Sequence, residues 1–175
     1  VSGTGSAISF GLNTAGTYSV LATNAATGCS APMFGSAAVV LSALPGVYNV
    51  TGGGVYCSGG SGVYVGLSFS VSGINYQLYN GASPIGSPMN GVNGPLSFGL
   101  QTLAGTYTVV AVNASSLCSA NMSGSASVST NPLPTAYAVT GGGTYCAGTS
   151  GAVIGLANSQ VGINYQLYNG ATATG

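Results

Sequence analysis

The chain carries hydroxyls, thiols and phenols in quantity but no group able to activate them. Ser, Thr, Tyr and four Cys supply nucleophilic atoms, yet none of the 175 residues is Asp, Glu, Lys, Arg or His. A Ser or Cys nucleophile needs a neighbouring base, and proton transfer near neutral pH falls to carboxylates and imidazoles. Hard-cation cages are built largely on carboxylate oxygens. The composition therefore argues against an enzyme and against a bound cofactor or metal. It also lacks the cations that hold nucleic-acid phosphates. An ordinary globular chain is about a quarter charged, so a wholly neutral one reads as a structural or adhesive material.

The four thiols are Cys29, Cys57, Cys118 and Cys146, and their spacing is regular: Cys29 to Cys118 and Cys57 to Cys146 are each 89 positions. That period runs through the whole chain. Gly73-Ile74-Asn75-Tyr76-Gln77-Leu78-Tyr79-Asn80-Gly81 recurs unchanged from Gly162 to Gly170, and Val50-Thr51-Gly52-Gly53-Gly54 recurs from Val139 to Gly143. Ala15-Gly16-Thr17-Tyr18 returns as Ala104-Gly105-Thr106-Tyr107, and Pro45 as Pro134. One inserted residue near Leu103 makes the offset 88 around Phe10 and Phe98. The repeat divides the chain into residues 1–44, the back half of one unit, 45–133, a whole unit, and 134–175, the front half of another. Gly175 matches Gly86 and Val1 matches Met89, so the two halves lie nearly end to start. They are expected to complete each other across neighbouring segments.

The elements that must position these residues are strands. Val63, Val65 and Leu67 alternate with Tyr64, Gly66 and Ser68, and Ile74, Tyr76 and Leu78 alternate with Asn75, Gln77 and Tyr79. This is the period of two expected of half-buried strands. Asn80-Gly81 then signals a tight hairpin. Leu96, Phe98 and Leu100 predict a further inward face, Tyr107, Val109 and Ala111 another, and Ala126 and Val128 a last one with Ser125, Ser127 and Ser129 outward. Short Gly, Pro, Asn and Ser clusters separate the runs. The fold class is all-β. Gly52-Gly53-Gly54 lacks the Lys and the helix of a phosphate loop and predicts a tight turn or close backbone approach. No apolar run reaches the roughly 18 residues of a membrane span.

A unit of about 89 residues has the size of one immunoglobulin-like sandwich. Within it, Ala104-Gly105-Thr106-Tyr107 looks like a tyrosine corner, with Tyr18 in the same part of the first half-unit. The combination of Val-Thr-Gly-Gly-Gly-x-Tyr-Cys, Gly-Ile-Asn-Tyr-Gln-Leu-Tyr, Ala-Gly-Thr-Tyr and Asn-Pro-Leu-Pro is similar to tandem immunoglobulin-like repeats of giant secreted surface proteins and adhesins of gliding bacteria. The resemblance covers essentially the whole chain. It implies tandem immunoglobulin-like β-sandwiches in an extracellular filament or adhesin stalk, with copies of itself as partner. Two departures stand out: such repeats normally carry some charge, and the positions of the antibody inter-sheet disulfide hold Val65 and Val109, with no Trp to pack on them.

Cysteine without His or a Cys-x-x-Cys pair fits disulfides in an oxidising space, hence an extracellular or cell-surface location. Of the three possible pairings, Cys57 with Cys118 inside the complete unit is preferred, leaving Cys146 for the Cys29 of a following segment. Cys57 precedes the Val63 strand while Cys118 follows the Tyr107 strand, so a bridge between successive domains is the alternative, and free thiols the third reading. Asn49, Asn113 and Asn121 each begin an Asn-x-Ser/Thr glycosylation triplet, which a chain this rich in Asn, Ser and Thr also produces by coincidence. Tyr64 and Tyr79, expected on the outer face, are either cross-strand packing partners or a platform for sugar rings. A carbohydrate-binding array is accordingly the rival to the stalk.

Overall fold

The structure is a computed structural model that describes residues 1–174; Gly175, and its match to Gly86, lie outside the described residues. All its regular elements are strands, and no helix is present among the described residues. No helix there is long and apolar enough to cross a membrane.

In residues 1–44 four three-residue strands form two separate pairs. Strand β1 (Gly16–Tyr18) pairs with β4 (Ala37–Val39), and β2 (Leu21–Thr23) with β3 (Ser30–Pro32). The central region carries β5 (Val50–Gly52), β6 (Gly54–Cys57), β7 (Val63–Ser70), β8 (Ile74–Asn80), β9 (Ser83–Asn90), β10 (Gly94–Gln101), β11 (Gly105–Asn113), β12 (Ser119–Asn121) and β13 (Ala126–Asn131). The last region has β14 (Val139–Gly141) paired with β15 (Ile154–Leu156), and β16 (Leu167–Asn169) paired with β17 (Thr172–Thr174).

The central strands make two sheets. One has the order β10-β7-β5; the other has β6-β13-β11-β8-β9, with β12 added on β11. Period-two alternation puts one face of each sheet toward the other. Val65 and Leu67 from β7 and Leu96 from β10 meet Tyr76 and Leu78 from β8, Tyr107 and Val109 from β11, and Val128 from β13, all buried in a single core. Fully burying a side chain of this size contributes about 1.5–3 kcal/mol, so these residues define the stable part of the molecule.

Chain connections follow from turn chemistry. Asn80 pairs with Ser83, so Gly81 and Ala82 form the expected two-residue hairpin loop, with Gly81 at φ 58°. Gly52-Gly53-Gly54 is the point where the chain leaves one sheet and joins the other. β5 pairs antiparallel with β7, whereas β6 pairs parallel with β13. Gly52 has φ 91°, and a Cβ there would run into the Tyr64 carbonyl. The predicted close approach is therefore real.

Two inward or outward assignments need correction. Leu100 is exposed rather than inward, because the β10–β7 register shifts between Ser97 and Leu100, at Gly99 with φ 79°. A bulge of this kind reverses the side-chain alternation beyond it. Tyr79 is half-buried rather than exposed, flanked in register by Thr108 and Pro84 on its two neighbouring strands. Tyr64 is exposed as expected.

Candidate functional site

The two outer regions repeat the pairing of the centre position for position. Gly16–Val39, Thr17–Ala38 and Tyr18–Ala37 stand 89 residues before Gly105–Val128, Thr106–Ser127 and Tyr107–Ala126. Val139–Leu156, Thr140–Gly155 and Gly141–Ile154 stand 89 after Val50–Leu67, Thr51–Gly66 and Gly52–Val65. The hairpin β16–β17 reproduces β8–β9 in the same way. Local turns and registers therefore form in each half without the other.

Each outer region leaves open an apolar surface whose counterpart in the centre is covered. Residues 1–44 form an open apolar groove lined by Ile8, Phe10, Tyr18, Val20, Met33 and Val39. These are the counterparts of Leu96, Phe98, Tyr107, Val109, Met122 and Val128, which line one part of the central core. Residues 134–174 form a second groove lined by Val139, Ile154, Leu156, Tyr165 and Leu167, the counterparts of Val50, Val65, Leu67, Tyr76 and Leu78. The first groove is the half of a core made by β10, β11 and β13; the second is the half made by β5, β7 and β8. Burial records the difference. Tyr107 is 0% exposed and Tyr18 36%; Leu78 is 2% exposed and Leu167 50%. Large contiguous apolar surfaces mark interaction sites, and unpaired strand edges offer backbone for a further strand.

The tyrosines behave alike in both settings. Tyr107 donates its hydroxyl to the Leu103 carbonyl at 2.7 Å, and Tyr18 donates to the Thr14 carbonyl at 2.7 Å. The Tyr76 hydroxyl accepts from the Val71 N–H at 3.0 Å, and Tyr165 accepts from the Gln160 N–H at 2.9 Å. Burial pushes the Tyr76 and Tyr107 phenols above their usual value. The Val71 bond opposes this at Tyr76, and the Asn80 side chain opposes it at Tyr107.

The cysteines do not meet. All four are free thiols; Cys29, Cys57 and Cys146 are exposed and Cys118 is half-buried. The preferred pairing of Cys57 with Cys118 is overturned. Cys118 sits where β11 ends, its carbonyl accepting from Asn113 N–H at 2.9 Å, whereas Cys57 is opposite Asn131, beyond the start of β11. At ~3.3 Å per residue the two are roughly 30 Å apart, and a disulfide needs its Cα atoms within about 7 Å. The Cys118 thiol instead approaches the Ser42 carbonyl at 3.9 Å.

Of the glycosylation candidates, Asn49 and Asn121 are exposed. Asn113 spends its side-chain oxygen on the Ser115 and Ser116 N–H groups, at 2.9 and 3.1 Å, closing the loop before Cys118. Asn24 closes the equivalent loop on Ala26 and Thr27 in the first half. The sequence marks Asn113 only as a glycosylation candidate and does not mark Asn24, although Asn-Ala at 24–25 and 113–114 repeats at the 89-residue offset.

No family model, no curated protein and no solved structure matches this chain.

Proposed function

We propose that this chain is the structural subunit of an extracellular filament or adhesin stalk built from serial immunoglobulin-like domains. Each half-domain is completed by the neighbouring segment. One observation carries the reading: the two exposed grooves are lined by counterparts of the two halves of one core. Residues 134–174 supply counterparts of β5, β7, β8 and the start of β9, and residues 1–44 counterparts of β11, β12 and β13. They are attached to opposite ends of the central sandwich, so neither completes the other there; in the filament proposed here the complement is a second copy.

The immunoglobulin-like assignment is supported by the two-sheet strand order and the Tyr107 hydrogen bond, both features of that sandwich type. The lack of charge suits assembly. Neutral surfaces do not repel one another, and no unpaired charge has to be desolvated when two halves close. The function proposed is mechanical rather than catalytic.

Electron microscopy of the purified chain tests this. Continuous fibres, with two sandwiches per chain along the axis, are expected. Isolated beads overturn the reading. Saturable binding on a glycan array by beads of this kind would favour the carbohydrate-binding alternative, with exposed Tyr64 as its platform.

A further inference from the structure

We infer that every joint between successive sandwiches is stapled by an intermolecular disulfide, Cys118 with Cys146 of one neighbouring copy and Cys57 with Cys29 of the other. The inference rests on the strand-completed assembly proposed above and adds to it a pairing that uses all four thiols.

The argument starts from Asn131 and Ser42, which are the same position one repeat apart. In the central sandwich Asn131 lies directly opposite Cys57 in the parallel β13–β6 register, and its carbonyl accepts from the Ser58 N–H at 2.9 Å. Applying that register to the completed neighbouring sandwich puts Cys146 of the second copy directly opposite Ser42. Adjacent strands stand about 4.8 Å apart. The Cys118 thiol already lies 3.9 Å from the Ser42 carbonyl. Cys118 is thus held against the strand beside which Cys146 of the neighbour must arrive.

The reciprocal joint has the same geometry. A second copy whose residues 1–44 complete the sandwich begun at 134 brings Cys29, the counterpart of Cys118, against Asn131 and so beside Cys57. Both partners are exposed and free. Within one chain neither pair can form by this geometry, because Cys57 and Cys118 occupy opposite ends of the central sandwich. The staples therefore form only on assembly, and they resist the separation that a tensile load would impose.

The chemistry balances with a small-molecule disulfide as oxidant. One cysteine thiolate attacks a sulfur of that disulfide and releases one thiol. The second cysteine thiolate then attacks the mixed disulfide and releases the other. Two S–H bonds are lost, one inter-subunit S–S bond forms, and the oxidant is reduced to two thiols.

The test assembles equal amounts of unlabelled and heavy-nitrogen chains with oxidised glutathione, after electron microscopy has established that filaments form. Chymotrypsin is the protease, since without Lys or Arg the chain offers trypsin no site. Cys118–Cys146 and Cys29–Cys57 peptides carrying one light and one heavy partner are expected. So is a denatured ladder of multimers that collapses to single chains on reduction. A Cys57→Ser, Cys118→Ser double variant should still form filaments but give only single chains in denaturant. Filaments whose four thiols stay free, or which yield Cys57–Cys118 or Cys29–Cys146 peptides, overturn the staple while leaving the filament intact. Absence of filaments overturns the assembly and the staple together.

Discussion

Tyr107 and Leu103 are joined by a 2.7 Å bond from the phenol to the backbone carbonyl, and the same bond joins Tyr18 to Thr14 one repeat earlier. The two bonds have the same length, but only Tyr107 is buried. The corner is thus a local structure that does not require a core closed around it, and its contribution to stability depends on what covers it.

Tyr107→Phe should therefore lower the stability of the central sandwich by about 1 kcal/mol, the usual net value of such a bond. That corresponds to a fall of about 4–8 °C in melting temperature for a domain of this size. Tyr18→Phe should leave the melting of unassembled chains unchanged. Thermal unfolding followed by circular dichroism compares the two; equal losses would show that the halves are folded against something in the single chain.

Gly52 is where the backbone crosses between sheets, and both its left-handed φ of 91° and its contact with the Tyr64 carbonyl exclude a side chain. Gly52→Ala should destabilise the sandwich by about 1–3 kcal/mol, read as a lower urea midpoint with unchanged slope. Gly105, with φ 152°, instead has the movable Asn80 side chain where its Cβ would go. Gly105→Ala should cost less than Gly52→Ala, because the Asn80 amide can move aside, and Gly73→Ala, with φ 83° but open space around it, should also cost less.

Much of this was legible from residue spacing. The alternations at Val65–Leu67, Ile74–Leu78 and Tyr107–Ala111, the Asn80-Gly81 hairpin and the Gly52–Gly54 approach all follow from local rules. Leu100 did not, because a bulge is set by how β10 registers on β7, which periodicity cannot report. Nor did the separation of Cys57 from Cys118. Alternation distinguishes inside from outside, but which end of a sandwich a residue occupies depends on strand direction and sheet order. That the two outer regions correspond to different parts of one repeat was implicit in the 89-residue spacing; the structure adds which counterparts of core residues each exposes.

Stability should not vary with acid. Without carboxylates or imidazoles, no side chain titrates in the acid range, so the melting temperature should be flat from pH 3 to about 7. At the alkaline end the sign follows from Tyr76 and Tyr107, whose phenols titrate higher in the folded protein than in the unfolded chain. Above the unfolded value near 10 the unfolded state binds fewer protons, so stability falls as pH rises. The contribution is whole below that value and lost as pH climbs through the folded ones. A melting series from pH 3 to 12 checks both limbs, and Tyr76→Phe should shallow the alkaline one.

Assembly itself has a predicted register. Transferring the β11–β8 pairing to the outer regions places Tyr18 opposite Asn169, Val20 opposite Leu167, Ala22 opposite Tyr165 and Asn24 opposite Ile163 of a second copy. In the centre the equivalent pair, Val109 and Leu78, is buried. Val20→Asp would enclose a lone carboxylate in a chain that holds no cationic side chain to pair with it, at a cost of several kcal/mol. Filament formation should be lost while the melting temperature of the central sandwich stays that of the parent, since Val20 is exposed in the single chain. Val20→Leu, apolar and near in volume, should still assemble. Light scattering against concentration, read beside the melting curve, separates these outcomes; fibres from Val20→Asp would mean that the two grooves do not close on each other.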